Sequence, residues 1–193
     1  MKYWLLAGII AMIISGCGSP EKKAIAEAHQ QKVNESLAQI AGPDQNTRTK
    51  AIKTLIDLNA REAIPALTGL LQDSDSLIRS LAVYALVKLN AKEAVPAIVK
   101  LLKNSVPEVR QIAVDALKQL DAKETIPEIA ELLDDNDKKV RGVTAVVLVE
   151  FGAKDKITGK AMEDLKSLLE WHNDFSARAR AALKELGVDD KSK

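Results

Sequence analysis

Residues 70–98 read LLQDSDSLIRSLAVYALVKLNAKEAVPAI, and residues 101–129 repeat the pattern as LLKNSVPEVRQIAVDALKQLDAKETIPEI. The two copies are 31 residues apart. The same interval relates single residues over four copies: Arg48, Arg79, Arg110 and Arg141, and likewise Leu55, Leu86, Leu117 and Leu148. A fixed period of this size is typical of one small supersecondary unit that cannot bury its apolar face alone and stacks on its neighbours. The sequence therefore predicts a repeat array whose function lies in a surface.

Each repeat is predicted to be a helical hairpin. Apolar residues spaced three and four apart define the buried face of a second helix of about thirteen residues, such as 76–89 or 107–120. The shorter helix begins at a recurring proline, because proline is tolerated in the first turn of a helix; these prolines are Pro65, Pro96 and Pro127. The predicted fold class is all-α, a right-handed α-solenoid of about four to five hairpins.

Both ends of the array depart from the repeat. Ser19-Pro20-Glu21 is typical of a helix start and Gly42-Pro43 of a helix stop, which predicts a capping helix with a turn over 20–46. Repeats are expected over 47–157, a degenerate capping repeat over 158–188 and a disordered tail over 189–193. The pair Leu168-Leu169 follows Leu132-Leu133 by 36 residues instead of 31, which indicates an insertion in the last repeat.

The first seventeen residues have the pattern of an export signal. Lys2 precedes an apolar run, small residues follow, and Ile14-Ser15-Gly16-Cys17 resembles the lipobox of bacterial lipoproteins. The resemblance implies a signal peptide over 1–16 and a tether over 17–19 that is lipidated at Cys17, placing the array close to a membrane. The alternative is an uncleaved anchor, although eleven strongly apolar residues are too few for a spanning helix. Gly18 after the cysteine favours the periplasmic face of the outer membrane if the cell is Gram-negative.

The charge of the chain argues against nucleic acid as a partner. The whole sequence holds 28 basic and 27 acidic residues, and Lys2 accounts for the excess. Nucleic-acid-binding domains usually carry an excess of basic residues, which this body does not have.

Three aspartates at the repeat period are predicted to cap the second helices. Asp44, Asp75 and Asp137 each lie four residues before a recurring arginine, where a carboxylate can accept backbone N–H bonds. The third repeat has Val106 in this position.

The motif of residues 70–98 resembles the HEAT-like repeat, in particular the short class first noted in phycobilisome lyases. The resemblance covers 47–157 strongly and both ends as degenerate repeats. It implies that charged residues form a structural ladder between repeats; in this sequence they are Asp44, Arg48, Asp75, Arg79, Arg110, Asp137 and Arg141.

The resemblance also implies that the second helices line a concave, partner-binding face. The positions that vary between repeats on this face are the natural contact surface, with Tyr84 as the best single anchor because aromatics supply large contact area. The predicted partner-binding residues are Lys53, Tyr84, Lys88, Asp115, Lys118 and Val146. The expected partner is another protein of the cell envelope, bound by a scaffold or, alternatively, by an assembly or chaperone-like factor that holds a client.

No enzyme, cofactor or metal is predicted. The chain has no His-Glu pair, which excludes the di-iron chemistry of the HEAT-like deoxyhypusine hydroxylase, and no phosphate loop or nucleophile-and-base motif. The single cysteine excludes a cysteine-based metal cluster. A small enzymatic site at Trp171, His172 and Asp174 remains as the least favoured alternative to a helix end with a solvated turn.

Overall fold

The computed structural model describes residues 20–170 and 174–188, and every regular element within these ranges is a helix. The chain divides into two compact units, residues 1–89 and 90–193. The described helices of the N-terminal unit are α1 (Pro20–Ile40), α2 (Gln45–Asp57), α3 (Ile64–Gly69) and α4 (Ser76–Lys88). Those of the C-terminal unit are α5 (Val95–Lys100), α6 (Pro107–Gln119), α7 (Ile126–Ala130), α8 (Lys138–Glu150), α9 (Gly159–Ser167) and α10 (Asp174–Glu185). The all-α class and the helical hairpins are confirmed.

The short helices begin where the prolines predict. Pro65 lies in the first turn of α3, and Pro96 and Pro127 lie in the first turns of α5 and α7. A single 3₁₀ turn precedes each of these helices and another follows it. The missing N–H of proline therefore removes no intrahelical hydrogen bond.

A left-handed residue ends each second helix and turns the chain into the next hairpin. The backbone φ is 51° at Asn59, 50° at Asn90, 54° at Asp121 and 85° at Gly152. These residues are 31 positions apart, and Asn, Asp and Gly tolerate this conformation better than other residues do. The N–H of the next residue then bonds back to the helix, for example from Ala60 to the carbonyl of Leu55 at 3.0 Å.

The repeated leucines form the core of the hairpins. Leu55, Leu86, Leu117 and Leu148 are all fully buried. The small residues at another repeated position are buried as well, and they let neighbouring helices approach closely; they are Ala51, Ala82, Ala113 and Thr144. The predicted pattern of buried positions is confirmed.

The capping helix α1 is packed only over its second half. Val33 and Ile40 are buried, but Ile25 is 48% exposed. The reason is length, since 21 residues of helix span about 31 Å and the thirteen residues of α2 span only about 20 Å. The first turns of α1 thus have no helix beside them within the described part of the N-terminal unit.

None of the helices in the described ranges has the length and apolar character needed to cross a membrane.

Candidate functional site

The second helices carry the predicted binding surface, and their first turns are fixed by aspartate caps. The carboxylate of Asp44 accepts the N–H of Thr47 at 2.7 Å, and Asp75 accepts the N–H of Leu77 at 2.8 Å. Asp137 caps α8 in the same way. Bonding to Thr47 lowers the pKa of Asp44. The predicted caps are correct. The N-cap residue of α6 is Val106, which provides no side-chain hydrogen bond.

An arginine one turn into each second helix ties the helix to a neighbouring loop or, for Arg141, to helix α9. In the N-terminal unit, Arg48 forms an ion pair with Asp73, with Nη1 3.2 Å from Oδ1. In the C-terminal unit, Arg110 lies 2.7 Å from both carboxylate oxygens of Asp135. Arg141 pairs with Asp164, with 3.0 Å between Nη2 and Oδ1. Arg79 donates to the backbone oxygens of Asp73 and Ser74, at 2.7 and 3.1 Å.

The acidic side of this ladder corrects the sequence prediction. The ladder was expected to use Asp44, Asp75 and Asp137, but these aspartates cap helices, and the arginines pair with Asp73, Asp135 and Asp164. One aspartate could cap a helix and also pair with an arginine only if its carboxylate reached both the backbone N–H groups and the guanidinium. The chain instead divides the roles between two aspartates two residues apart, as in Asp73-Ser74-Asp75.

The ion pairs shift the pKa values of both partners. The hydrogen bonds from Arg48 lower the pKa of Asp73 and raise that of the arginine. Burial is the largest single effect on Asp135 and would raise its pKa, but the hydrogen bonds from Arg110 and from the N–H of Asp137, with the charges of Arg110 and Arg141, together lower the pKa. These residues are therefore charged at neutral pH and hold the second helices in register.

The N-terminal unit presents the predicted binding positions to solvent. We call this surface the open face, and it comprises residues of α2 and α4: Lys50, Lys53, Asp57, Leu77, Leu81, Tyr84, Val87 and Lys88. Tyr84 is 51% exposed and Leu77 is 48% exposed. The ammonium of Lys88 lies 5.2 Å from the centroid of the Tyr84 ring, within range of a cation–π contact. Lys53 is exposed as well.

The positions equivalent to Leu81, Tyr84 and Val87 are covered in the C-terminal unit. We call this surface the closed face, and it comprises residues of α6 and α8: Asp115, Lys118, Val143, Val146, Val149 and Glu150. Val146 is fully buried and shares a core with Ala179, Ala182 and Leu183 of α10. The prediction that Val146 contacts a partner is therefore wrong, because the last hairpin of the chain already occupies its surface.

An arginine of α10 closes this face over its charged residues. Arg178 donates from Nη1 to Asp115 at 2.5 Å and from Nε and Nη2 to the two carboxylate oxygens of Glu150 at 2.8 Å each. Burial would lower the pKa of Arg178, but the two carboxylates outweigh it and raise the pKa. The guanidinium also lies 4.8 Å from the centroid of the Phe175 ring. Asp115 is thus bound within its own unit rather than presented to a partner.

The approach of α9 to α8 depends on Gly142. A Cβ atom at this position would lie 3.0 Å from the carbonyl oxygen of Asp164 and 3.1 Å from Cγ of Leu168, closer than ordinary contacts allow. The equivalent positions in the earlier repeats hold Thr49, Ser80 and Gln111. The glycine at position 142 therefore allows the last hairpin to pack closely against α8.

The remaining predicted residues have mixed outcomes. Lys118 is half-buried, and its ammonium lies 5.6 Å from the centroid of the Phe151 ring. Cys17, Trp171 and His172 lie outside the described residues. Asp174 is the exposed first residue of α10. Within 20–170 and 174–188, no three His, Cys, Asp or Glu side chains come together as a metal site would require.

The family follows from a match over most of the chain. A model of HEAT repeats matches residues 34–118 and 100–187, which together span more than half of the sequence. The chain belongs to the HEAT repeat family. No curated protein sequence matches it.

Solved structures share the fold at low identity. The CpcE–CpcF complex of phycocyanin lyase from Nostoc sp. PCC7120 is 21% identical with a TM-score of 0.56, and the match covers 93% of this chain and 74% of that one. An engineered protein is 23% identical with a TM-score of 0.49, covering 94% and 52% of the two chains. A designed armadillo repeat protein in complex with the peptide (KR)4 is 16% identical with a TM-score of 0.48, covering 96% and 99%. The first of these likenesses supports the repeat fold, and no activity follows from it.

Two features beyond those predicted have a signal in the sequence. Asp73 and Asp135 lie two positions before Asp75 and Asp137, a D-x-D pattern that marks a ladder partner beside these two caps. Residues 143–149 of α8 read VTAVVLV and are apolar on every side, which is typical of a helix buried on every side. No comparable pattern identifies Arg178, because the residues inserted before it shift the last hairpin out of the 31-residue period.

Proposed function

We propose that the protein is a lipid-anchored scaffold of the bacterial cell envelope that binds another protein through the open face of its HEAT repeats. The observation that carries this proposal is the exposure of Tyr84, since Val146 at the equivalent position of the C-terminal unit is fully buried, and Leu77 is exposed beside Tyr84 on the same helix. Exposed aromatic and aliphatic side chains grouped on one rigid surface are typical of interaction sites. The capped, ion-paired second helices keep this surface in one conformation, which reduces the entropy lost on binding.

The lipid anchor is supported by the sequence of residues 14–17, which ends in Cys17. If Cys17 is acylated, the exposed part of α1 separates it from the repeats. Thirteen residues precede Val33, the first fully buried residue of α1, and thirteen helical residues span about 20 Å. We therefore propose that α1 acts as a spacer rather than holding the repeats directly against the membrane.

The proposed role is non-catalytic. HEAT repeats form surfaces for binding, and the buried ion pairs of the described residues are those of the ladder and of Arg178. The word lyase belongs to the complex from Nostoc, and a fold shared at 21% identity transfers no reaction to this chain.

Photocrosslinking tests the scaffold function. A photoreactive phenylalanine analogue at position 84, in cells that express the full chain, should capture a distinct envelope protein. The matched control is the same analogue at position 62, which replaces an exposed residue of a connecting turn. No product specific to position 84 would contradict a protein partner at the open face.

Metabolic labelling tests the anchor independently. A clickable palmitate analogue should label the chain and should fail to label the Cys17→Ala variant. Labelling of both, or of neither, would refute acylation at Cys17 and leave the binding surface to be judged on the crosslinking result.

A client-holding factor is the second candidate function, because the exposed side chains of Leu77 and Tyr84 would also suit an unfolded segment. Such a factor should bind a hydrophobic dye in its native state and protect several unrelated clients from aggregation. A scaffold should instead give one dominant crosslinked partner.

A further inference from the structure

The closed face shows what kind of structure fits this surface of the repeats. Its occupant is a helix of the chain itself, α10, which places Ala179, Ala182 and Leu183 in one core with Val146 and Val149. One long cationic side chain of that helix bridges a carboxylate on each of the two facing helices. The occupant is thus an amphipathic helix with small residues and a single bridging charge.

The open face carries the opposite charge at the equivalent positions. Two periods before Asp115 and Glu150, the N-terminal unit has Lys53 on α2 and Lys88 on α4. The pair of carboxylates that holds Arg178 is therefore replaced by a pair of lysines. Both lysines are exposed, so their charges are available to a partner.

Apolar residues lie between these charges on both faces. We call Leu81, Tyr84 and Val87 the apolar floor of the open face; it contains larger side chains than the closed face has at the equivalent positions. Tyr84 replaces Val146, Leu81 replaces Val143, and Val87 replaces Val149. Leu81 and Val87 are half-buried and Tyr84 is half exposed, so the floor is accessible. Tyr84 is the only aromatic residue between positions 5 and 150, which makes this floor the one aromatic surface that the repeats offer in that range.

The other charges on this face leave it basic. Lys50 lies one turn before Lys53, and Asp57 lies one turn after it. Three lysines and one aspartate therefore surround the apolar floor. The contact of the Lys88 ammonium with the Tyr84 ring holds that charge beside the floor, where a bound side chain would meet it partly desolvated.

We propose, building on the scaffold function above, that the open face binds an amphipathic helix of its partner protein. That helix packs small and aliphatic residues on Leu81 and Tyr84, and it places an acidic side chain between Lys53 and Lys88. The partner contact is thus the charge-reversed counterpart of the contact that α10 makes with the closed face.

Two stapled peptides test this proposal on the full-length chain. Both have the sequence of residues 174–188, and one carries Glu in place of Arg178. Binding is followed by the fluorine NMR signal of 3-fluorotyrosine at position 84, which the Tyr84→Phe variant identifies. The glutamate peptide should bind about tenfold more tightly than the arginine peptide, since tenfold corresponds to about 1.4 kcal/mol and two partly desolvated charge contacts supply that amount.

Reversing the charges of the protein should reverse the preference. The Lys53→Glu, Lys88→Glu double variant should bind the arginine peptide more tightly than the glutamate peptide. The matched control is the Lys92→Glu, Lys100→Glu variant, which changes the net charge equally at two exposed lysines outside the open face and should keep the original preference. Thermal unfolding of both double variants checks that they fold.

Three results would overturn the inference. The first is equal affinity for the two peptides, and the second is no shift of the position-84 signal with either peptide at 1 mM. The third is a shift of that signal with phosphatidylglycerol vesicles alone, which would assign the lysines to a lipid surface. The crosslinking test separates this inference from the scaffold function. A partner captured at position 84 despite the Lys53→Glu, Lys88→Glu change would refute the acidic helix and leave the scaffold standing.

Discussion

Tyr84 and Val146 occupy the same position in the repeat, on α4 and α8, yet half of the Tyr84 side chain is exposed and Val146 is fully buried. The two second helices share their caps, their buried leucines and their ladder arginines. They differ in what lies against them: α8 is covered by the last hairpin of the C-terminal unit, and the outer face of α4 is open. A position in a repeat therefore fixes the orientation of a side chain, and its availability depends on the neighbouring elements within its unit.

Introducing a charge at the two positions should separate the two faces most strongly. Val146→Asp places a carboxylate in a core without a partner and should lower the free energy of unfolding by about 3 to 5 kcal/mol. Tyr84→Asp should lower it by about 1 kcal/mol or less, because half of the tyrosine side chain is already in water and the new carboxylate stays there. Urea unfolding followed by circular dichroism measures both. Similar losses at the two positions would show that the faces do not differ as described.

Removing the bridging arginine should have the next largest effect. Arg178→Met leaves the carboxylates of Asp115 and Glu150 without their cation and should cost about 1 to 3 kcal/mol of unfolding free energy at neutral pH. The equivalent change in the N-terminal unit, Lys88→Met, should be nearly neutral because Lys88 is exposed.

A rescue experiment distinguishes charge from packing in that result. Adding Asp115→Asn and Glu150→Gln to Arg178→Met removes the unpaired charges and should recover most of the lost stability. If the triple variant is as unstable as Arg178→Met, the arginine stabilises the closed face by the packing of its side chain on Phe175 instead.

The comparison also shows which features the sequence could predict. The 31-residue period was sufficient to predict the hairpins, the aspartate caps, and the burial of Leu55 and its equivalents. Each of these features follows from local spacing and occurs in three or four repeats. Lys53, Tyr84 and Lys88 are exposed, as partner-binding residues must be, and their role in binding stays a prediction.

The errors lie where a contact is not repeated. Val146 is predicted to be on the surface because its position varies between repeats, and the repeat register does not reveal that α10 covers it. The contact of Arg178 with Asp115 joins residues 63 positions apart, a separation that is not a multiple of the period. Gly142 was the one residue in the sequence that indicated this contact. The other repeats have larger residues at its position, and a glycine there indicates that another part of the backbone approaches closely.

A smaller effect of opposite sign is expected at Thr144, the C-terminal counterpart of Ala51 and Ala82. Its hydroxyl is buried and has no hydrogen-bond partner among the described residues. Thr144→Val keeps the shape, removes the unpaired group and should raise the free energy of unfolding by about 1 kcal/mol. Thr125→Val is the control: this buried hydroxyl donates to the carbonyl of Ala122 at 2.7 Å, so its removal should not stabilise the protein. Stabilisation by both changes would argue against the unpaired hydroxyl as the cause.

The smallest expected effect is the acid response of the ladder, which should be alike in the two units although their faces differ. The pKa values of Asp73 and Asp135 are lowered in the folded protein, so each carboxylate stabilises the fold above the unfolded pKa of about 3.9. That stabilisation is lost as the pH falls through the lower, folded pKa. Asp73→Asn and Asp135→Asn should each flatten the decline in stability on acidification from about pH 5 to about pH 2, by about 1 kcal/mol or less. Thermal unfolding across this pH range measures the effect. A flattened profile for only one of the two variants would show that the ladder, like the binding face, differs between the units.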